Sequence, residues 1–289
     1  MRHILVSGAS SLIINRLIDL LINDGFKVTG ITRKLKNAHR KDINWIEADL
    51  SVENVALNIF QPIDLILHAA AISNAYNPLD YQEVNFTSTV NLIGFARKQK
   101  ISGFIYISSI LACKGCGMYG ESKAKSEEYI KKNITNWVII RPSQIYGHSS
   151  SNPINRIFQK IENQPLLLYP NSTAPNLFPI LHSEFCESLR KVIMRSEYQN
   201  TWIITGPEKF NYYSLLHYAC SVVNKRRLLI PIPGWFLNFY YNLQSKLKIP
   251  VGPTPDQIYR LYKANPDIDD CRVIRTETTV LDYLKMKPN

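Results

Sequence analysis

From residue 1 to about residue 147, short apolar runs alternate with longer segments whose apolar residues fall at helical spacing, and this alternation is the signature of a parallel sheet wrapped by helices. Parallel strands cannot be joined by a tight turn, so each apolar run needs a crossover, usually a helix. Strands are expected at 3–7, 27–32, 44–47, 63–68, 103–109 and 137–141, with helices near 12–24, 52–60, 78–100 and 119–132. Six strands joined in this way make a doubly wound α/β sheet, whose ligands bind outside the carboxyl ends of the strands.

Beyond residue 147 the connections become rich in Pro, Ser and Asn, and the order is less regular. A helix near 183–195 and a strand near 202–205 are expected to return to the main sheet, while 165–180 and 228–265 are expected to build a small substrate-binding cap. Pro231, Pro233, Pro250, Pro253 and Pro255 rule out one long helix in the last of these segments. The expected division is therefore a nucleotide-binding unit over 1–164 and a cap over 165–289, with 181–206 belonging to the first.

The 289 residues suffice for a large buried core, and the cysteines bear on the compartment. Cys113, Cys116, Cys186, Cys220 and Cys271 are scattered, and the close pair Cys113 and Cys116 has no second pair or nearby His to complete a zinc site. Reduced thiols in a cytoplasmic protein are expected, with no metal. No signal peptide is expected from the first residues, and no apolar stretch of the sequence is long enough to span a membrane. The formal net charge of +11 is spread along the chain rather than gathered in a block. That distribution favours a phosphate-bearing cofactor and substrate over nucleic acid, and a generally basic surface explains it equally well.

Two local motifs carry chemistry. Val6, Ser7, Gly8, Ala9, Ser10, Ser11 and Leu12 lie between the first expected strand and the first helix, where backbone amides and the helix N-terminus cradle a dinucleotide pyrophosphate. Gly8, Ser10, Ser11 and Leu12 are thus candidate cofactor contacts. Farther on, Tyr119 and Lys123 stand four apart on an expected helix and share a face. A neighbouring ammonium favours a phenolate, so Tyr119 is expected to have a lowered pKa and to exchange a proton with a carbonyl or hydroxyl. Just upstream, the buried run Phe104, Ile105, Tyr106, Ile107 ends in Ser108 and Ser109.

With these motifs the sequence resembles the extended short-chain dehydrogenase/reductase family, also called the NAD-dependent epimerase/dehydratase family, across nearly its whole length. The resemblance implies a Rossmann fold and a catalytic triad of Ser109, Tyr119 and Lys123, with Ser108 as the alternative serine. It implies cofactor contacts at Asp49 and Leu50 and at Ala69 and Ala70 after His68, a structural role for Asn85, and a site wall from Arg141 to Gly147. It also implies substrate contacts at Ser109, Tyr146 and His182. Each has a plainer alternative: Asp49 as a helix cap, His68 as a sheet-end or backbone-bonding residue, Tyr146 as a packed aromatic. Where the family carries three glycines in the first turn, only Gly8 is present, and Ser11 and Ile14 are expected to loosen the loop.

NAD enzymes place a carboxylate after the second strand. Here Ile31, Thr32, Arg33 and Lys34 offer none, and Arg33 suits the 2′-phosphate of NADP, so NADP(H) is expected over NAD(H). The resemblance implies a nucleotide-sugar substrate. The leading expectation is an NADPH-dependent reductase of a nucleoside-diphosphate keto-sugar, 4-keto in kind, serving surface-polysaccharide biosynthesis. Family dehydratases carry an Asp and Glu pair directly after the triad serine or threonine; Ile110 and Leu111 stand there instead. An epimerase that retains NAD(P) and a non-catalytic NADP-binding protein are the alternatives. A homodimer through 78–100 and 119–132 is expected from the resemblance. The segment 228–249, with Trp235, Phe236, Phe239, Tyr240, Tyr241, Lys246 and Lys248, reads either as part of the cap or as a membrane-surface contact without a spanning helix.

Overall fold

A computed structural model describes residues 2–52, 57, 59, 61–147, 153–171, 176–247, 252–264 and 271–286. Most of the helix expected at 52–60 lies outside them. The first part of the chain runs β1 (His3–Ser7), α1 (Leu12–Asn23), β2 (Lys27–Thr32), β3 (Asn44–Glu47), β4 (Leu65–His68), a short α2 (Pro78–Asp80), a π-helical stretch (Tyr81–Thr87), α3 (Ser88–Lys98), β5 (Gly103–Ile107), α4 (Gly117–Asn133) and β6 (Trp137–Pro142). The rest runs β7 (Ile145–Tyr146), α5 (Pro153–Asn163), β8 (Leu166–Pro170), β9 (Ile180–Leu181), α6 (His182–Arg195), β10 (Asn200–Thr205), α7 (Tyr212–Val222), β11 (Leu228–Ile232), α8 (Gly234–Leu247), α9 (Pro255–Lys263), β12 (Arg272–Arg275) and α10 (Val280–Met286).

Eight strands form one sheet in the order β12-β10-β6-β5-β4-β1-β2-β3, with every neighbouring pair parallel. Successive strands run outward in both directions from β1 and β4, so the crevice between those two is the topological switch point of a doubly wound sheet. β1 and β4 are buried along their whole length, as expected for parallel strands covered on both faces.

Helix α1 shows how local sequence serves this packing. Ser11 caps its N-terminus by accepting from the Ile13 amide, and Gly25, at φ +83°, turns the chain out of the helix. Ile14, Leu17, Ile18 and Leu21 form its buried stripe. They share one core with Phe185, Leu189 and Val192 of α6, and the Arg190–Asp24 ion pair closes that layer. On the other face, Leu92, Ile93 and Ala96 of α3 and Ile130 of α4 pack on Leu5, Ile66, Phe104 and Ile139.

β10 makes the expected return to the sheet, and β12 joins beside it as an edge strand that periodicity did not reveal. Its four residues, Arg-Val-Ile-Arg, are mostly exposed and too few to show an alternation. β8 and β11 form a separate parallel pair. A third core beside them gathers Tyr146, Phe158, Leu167, Phe210 and Leu215. The single helix expected at 78–100 is interrupted by its π-helical stretch, in which Asn85 is buried.

One buried polar chain ties β1 to β4 and α3. Ser7 Oγ accepts from the Ala69 and Ala70 amides and lies 2.6 Å from His68 Nδ1. His68 Nε2 lies 3.0 Å from Thr89 Oγ1, which donates to the Asn85 carbonyl. The network assigns the ring proton to Nε2, with Ser7 donating to Nδ1. His68 is thus a sheet-end residue, as expected, and its ring bonds side chains rather than backbone. Burial, and after it the charge of Lys123, pushes its pKa down to about 3. The unfolded chain takes up a proton below its pKa of about 6.5 while the folded one stays neutral, so stability is full above that pH and lost as pH falls towards 3. Between pH 7 and pH 5 this residue should remove about 2 kcal/mol. Urea unfolding at the two pH values, with His68→Gln as reference, checks it; an equal pH dependence in both proteins would exclude His68 as the source.

Candidate active site

The carboxyl ends of β1, β2, β4, β5 and β6 border a cavity of about 470 Å³. Gly8, Ser10 and Ser11 line it after β1, Arg33 after β2, and Asp49 and Leu50 after β3. Ala69 and Ala70 line it after β4, Ser108 and Ser109 after β5, and Tyr119 and Lys123 enter from α4. Leu12, Tyr146 and His182 are not among the lining residues. Leu12 is exposed on α1. Tyr146 packs in a buried aromatic group with Phe158 and Tyr283. His182 Nε2 lies 2.8 Å from the Ile13 carbonyl oxygen, joining α6 to α1.

Gly8 is required by both conformation and space: its φ is +72°, and a Cβ there would lie 2.8 Å from the Ala70 nitrogen. The two departures from the three-glycine turn are accommodated. Ser11 caps α1, and Ile14 turns into the core while forming part of the cavity wall.

At the other end, α4 turns a polar face inward, burying Ser122, Lys123, Ser126 and Glu127. Gly120 permits the approach, since a Cβ there would collide with the Leu111 carbonyl. Lys123 Nζ donates to the Ile107 carbonyl at 2.7 Å and sits 4.3 Å from the Tyr106 ring centroid. Burial lowers the Lys123 pKa to about 7, opposed by the carboxylate of Glu127. Glu127 takes a two-pronged bond from Arg141, at 2.9 and 2.7 Å, and one from Ser108 Oγ at 2.5 Å. Ser108 is thus occupied, and Ser109 is the serine near enough to Tyr119 to act on its pKa. Asn85 Nδ2 holds Ser122 and the Ile72 carbonyl, and its Oδ1 accepts from the Ile72 amide.

The pKa of Tyr119 departs from the sequence reading. Burial raises it; the Arg260 guanidinium, 4.9 Å from the ring centroid, and the Ser109 hydroxyl oppose that rise. Lys123 is not the cation that acts on it, because its amine is turned to Ile107. Arg260 and Asp256 of α9 were not anticipated. Asp256 accepts from the Met118 amide at the start of α4 and pairs with Arg260, which donates to the Ser73 carbonyl. Their only sequence signal was a capped helix bearing Asp and Arg four apart.

Cys113 and Cys116 form a disulfide immediately before α4, correcting the expectation of free thiols. A turn through Gly115, at φ +75°, brings their Cα atoms to 5.5 Å. Arg33 stands exposed at the cavity rim. The carboxyl of Asp49 is held below its ordinary pKa chiefly by hydrogen bonds from Ser51, with Arg33 adding to the effect. Among the described residues no cluster of three metal-ligating side chains occurs, and no helix is long and apolar enough to cross a membrane.

A parallel sheet with its cavity at the switch point defines a Rossmann fold. The family profile described as the NAD dependent epimerase/dehydratase family matches residues 4–175, and the chain belongs to that family. An uncharacterized chloroplastic protein of Arabidopsis thaliana is 24% identical over 224 residues, covering 68% of this chain and 78% of its own. UDP-glucuronic acid decarboxylase 1 of Xenopus tropicalis is 25% identical over 137 residues, 44% of this chain and 31% of that protein's length. The UDP-glucose 4-epimerase of Thermus thermophilus, solved in complex with NAD, superposes with a TM-score of 0.65 at 17% identity, covering 90% of this chain and 97% of that one.

Glu127→Gln should cost about 3 kcal/mol, because it leaves the partly buried Arg141 guanidinium without its counter-charge. It should also lower the Lys123 pKa further, by removing the charge that supports the ammonium. Chemical denaturation reads the first effect, and NMR titration of the lysine side chain reads the second.

Proposed function

We propose that the chain is an NADPH-dependent reductase of a nucleoside-diphosphate keto-sugar, 4-keto in kind, acting in surface-polysaccharide biosynthesis. The observation that carries this reading is one cavity with Gly8, Ser10, Ser11 and Arg33 at one end and Ser109, Tyr119 and Lys123 at the other. The fit to a dinucleotide rests on the Gly8 turn, whose backbone approaches Ala69 and Ala70 too closely for any side chain. Gly8, Ser10 and Ser11 would hold the pyrophosphate, Asp49, Leu50, Ala69 and Ala70 the adenosine half, and Arg33 a 2′-phosphate. A bound nicotinamide supplies the hydride.

The chain's own residues supply the proton and the positioning. Tyr119, kept neutral by burial, donates its hydroxyl proton to the substrate carbonyl oxygen, and Ser109 orients that oxygen by a hydrogen bond. Lys123, anchored on the Ile107 carbonyl, presents its remaining N–H groups to a ribose. Elimination of water lacks its acid and base here: Ile110 is buried, and the Leu111 backbone amide donates to Ser109 Oγ. β8, β11, α8 and α9, within the segments 165–180 and 228–265, are proposed to form the cap that selects the sugar.

A second reading, an epimerase that keeps its cofactor, draws support from Ile14. Its packing into the core removes one reason to expect a loose pyrophosphate loop. Purification followed by assay for retained nicotinamide, then NADPH with a nucleotide-linked 4-keto sugar, separates the two. Net NADPH consumption supports the reductase; stoichiometric retained cofactor with interconversion of sugars establishes the epimerase in its place.

Tyr119→Phe should lower turnover by about a hundredfold to ten-thousandfold while NADPH affinity stays within a few fold. Near wild-type turnover would sink its assignment as the proton donor. Arg33→Ala should weaken NADPH by about ten- to a hundredfold and leave NADH little changed. Equal weakening of both in equilibrium titrations would make Arg33 an adenine contact instead.

A further inference from the structure

The β8–β11 pair and α8 carry an apolar surface that no described element covers. In the register of the pair, Leu228 faces Leu166 and Ile230 faces Leu168, and all four are exposed, Leu228 by 61% and Leu168 by 59%. Parallel strands are normally covered on both faces, so four aliphatic side chains on an open face are exceptional. Helix α8 follows directly after Pro233. Its Trp235, Phe236, Phe239 and Leu243 fall within an arc of roughly 100°, and Trp235 is 71% exposed. Leu237, Tyr240 and Gln244, on the opposite side of the helix, are its better-buried positions.

The charge pattern marks the same segments. Segments 163–181 and 228–245, which supply all eight of these residues, contain no Asp, Glu, Lys or Arg. Immediately before β11 stand Lys225, Arg226 and Arg227, with Lys225 and Arg226 exposed. An uncharged apolar face with aromatic side chains and a basic border matches the interfacial zone of an anionic bilayer, where rings enter the headgroup layer and cations meet lipid phosphates. A second copy fits less well, because a two-fold interface would bring two identical basic borders together.

We propose that this face, formed by β8, β11 and α8, docks the protein on anionic membrane surfaces as a peripheral protein. Trp235 and Phe239 enter the headgroup region, and Arg226 contacts lipid phosphate. This docking is independent of the cofactor and of the substrate.

Sedimentation of the full chain with vesicles of phosphatidylcholine alone and of phosphatidylcholine with phosphatidylglycerol tests it. Partition onto the anionic vesicles, weakening with salt and accompanied by a blue shift in tryptophan emission, is the expected result. Trp235→Ser with Phe239→Ser should lower that partition by about tenfold or more. Arg226→Gln should lower it by about fivefold, the equivalent of one basic contact. Both variants should keep the wild-type melting temperature. Absence of partition onto either vesicle overturns the proposal, as does unchanged partition in the double variant. Self-association in vesicle-free solution that the double substitution abolishes would also overturn it, since a second copy would then be the occupant.

Discussion

The site depends on a helix that buries its polar face. Most of the side chains that α4 turns towards the sheet are hydrophilic, and each must find a partner away from water or destabilise the fold by kilocalories. The partners are distributed over four elements: the Ile107 carbonyl of β5 for Lys123, Arg141 of β6 for Glu127, Asn85 of the π-helical stretch for Ser122, and Asn85 and Thr89 for Ser126. Satisfying one of these bonds constrains the next, so the helix has a single acceptable depth and rotation. That placement brings Tyr119 beside Ser109 at the mouth of the crevice.

The same burial sets the charge state of the site. Removing Lys123 from water brings its pKa to about 7, and removing Tyr119 from water holds its phenol neutral. Glu127 supplies the one negative charge near enough to resist the first shift, and Arg260 the positive charge that resists the second. The two helices that contribute these charges, α4 and α9, meet where Asp256 accepts from the Met118 amide. A phenol held neutral in this way draws on two distant stretches of chain.

The sheet was legible because β1, β4 and β5 are apolar runs with nothing polar to confuse the period, and the helices between them follow an amphipathic rule. β12 was not, since an exposed edge of four residues leaves no pattern. Ser109, Tyr119 and Lys123 were found by spacing and by resemblance, and all three reach the cavity; Leu12, Tyr146 and His182 were named in the same way and do not. The difference is direction. Sequence spacing sets where a residue falls along its element, whereas the rotation of Tyr146 into the third core follows from contacts with Phe158 and Tyr283, both remote in sequence from the motif. Arg260 and the disulfide escaped for a related reason, for neither is announced by the residues on either side of it.

The contact of the Gly8 turn with Ala69 and Ala70 leaves no room for a side chain, so the floor of the crevice has no freedom to be remodelled. A second cavity of about 750 Å³ is different: α8 and α9 border it with Tyr81, Met118 and Glu121, and no comparable backbone contact closes it. Side chains on those two helices can therefore be exchanged without disturbing the backbone, whereas any change to the floor would displace two strands at once.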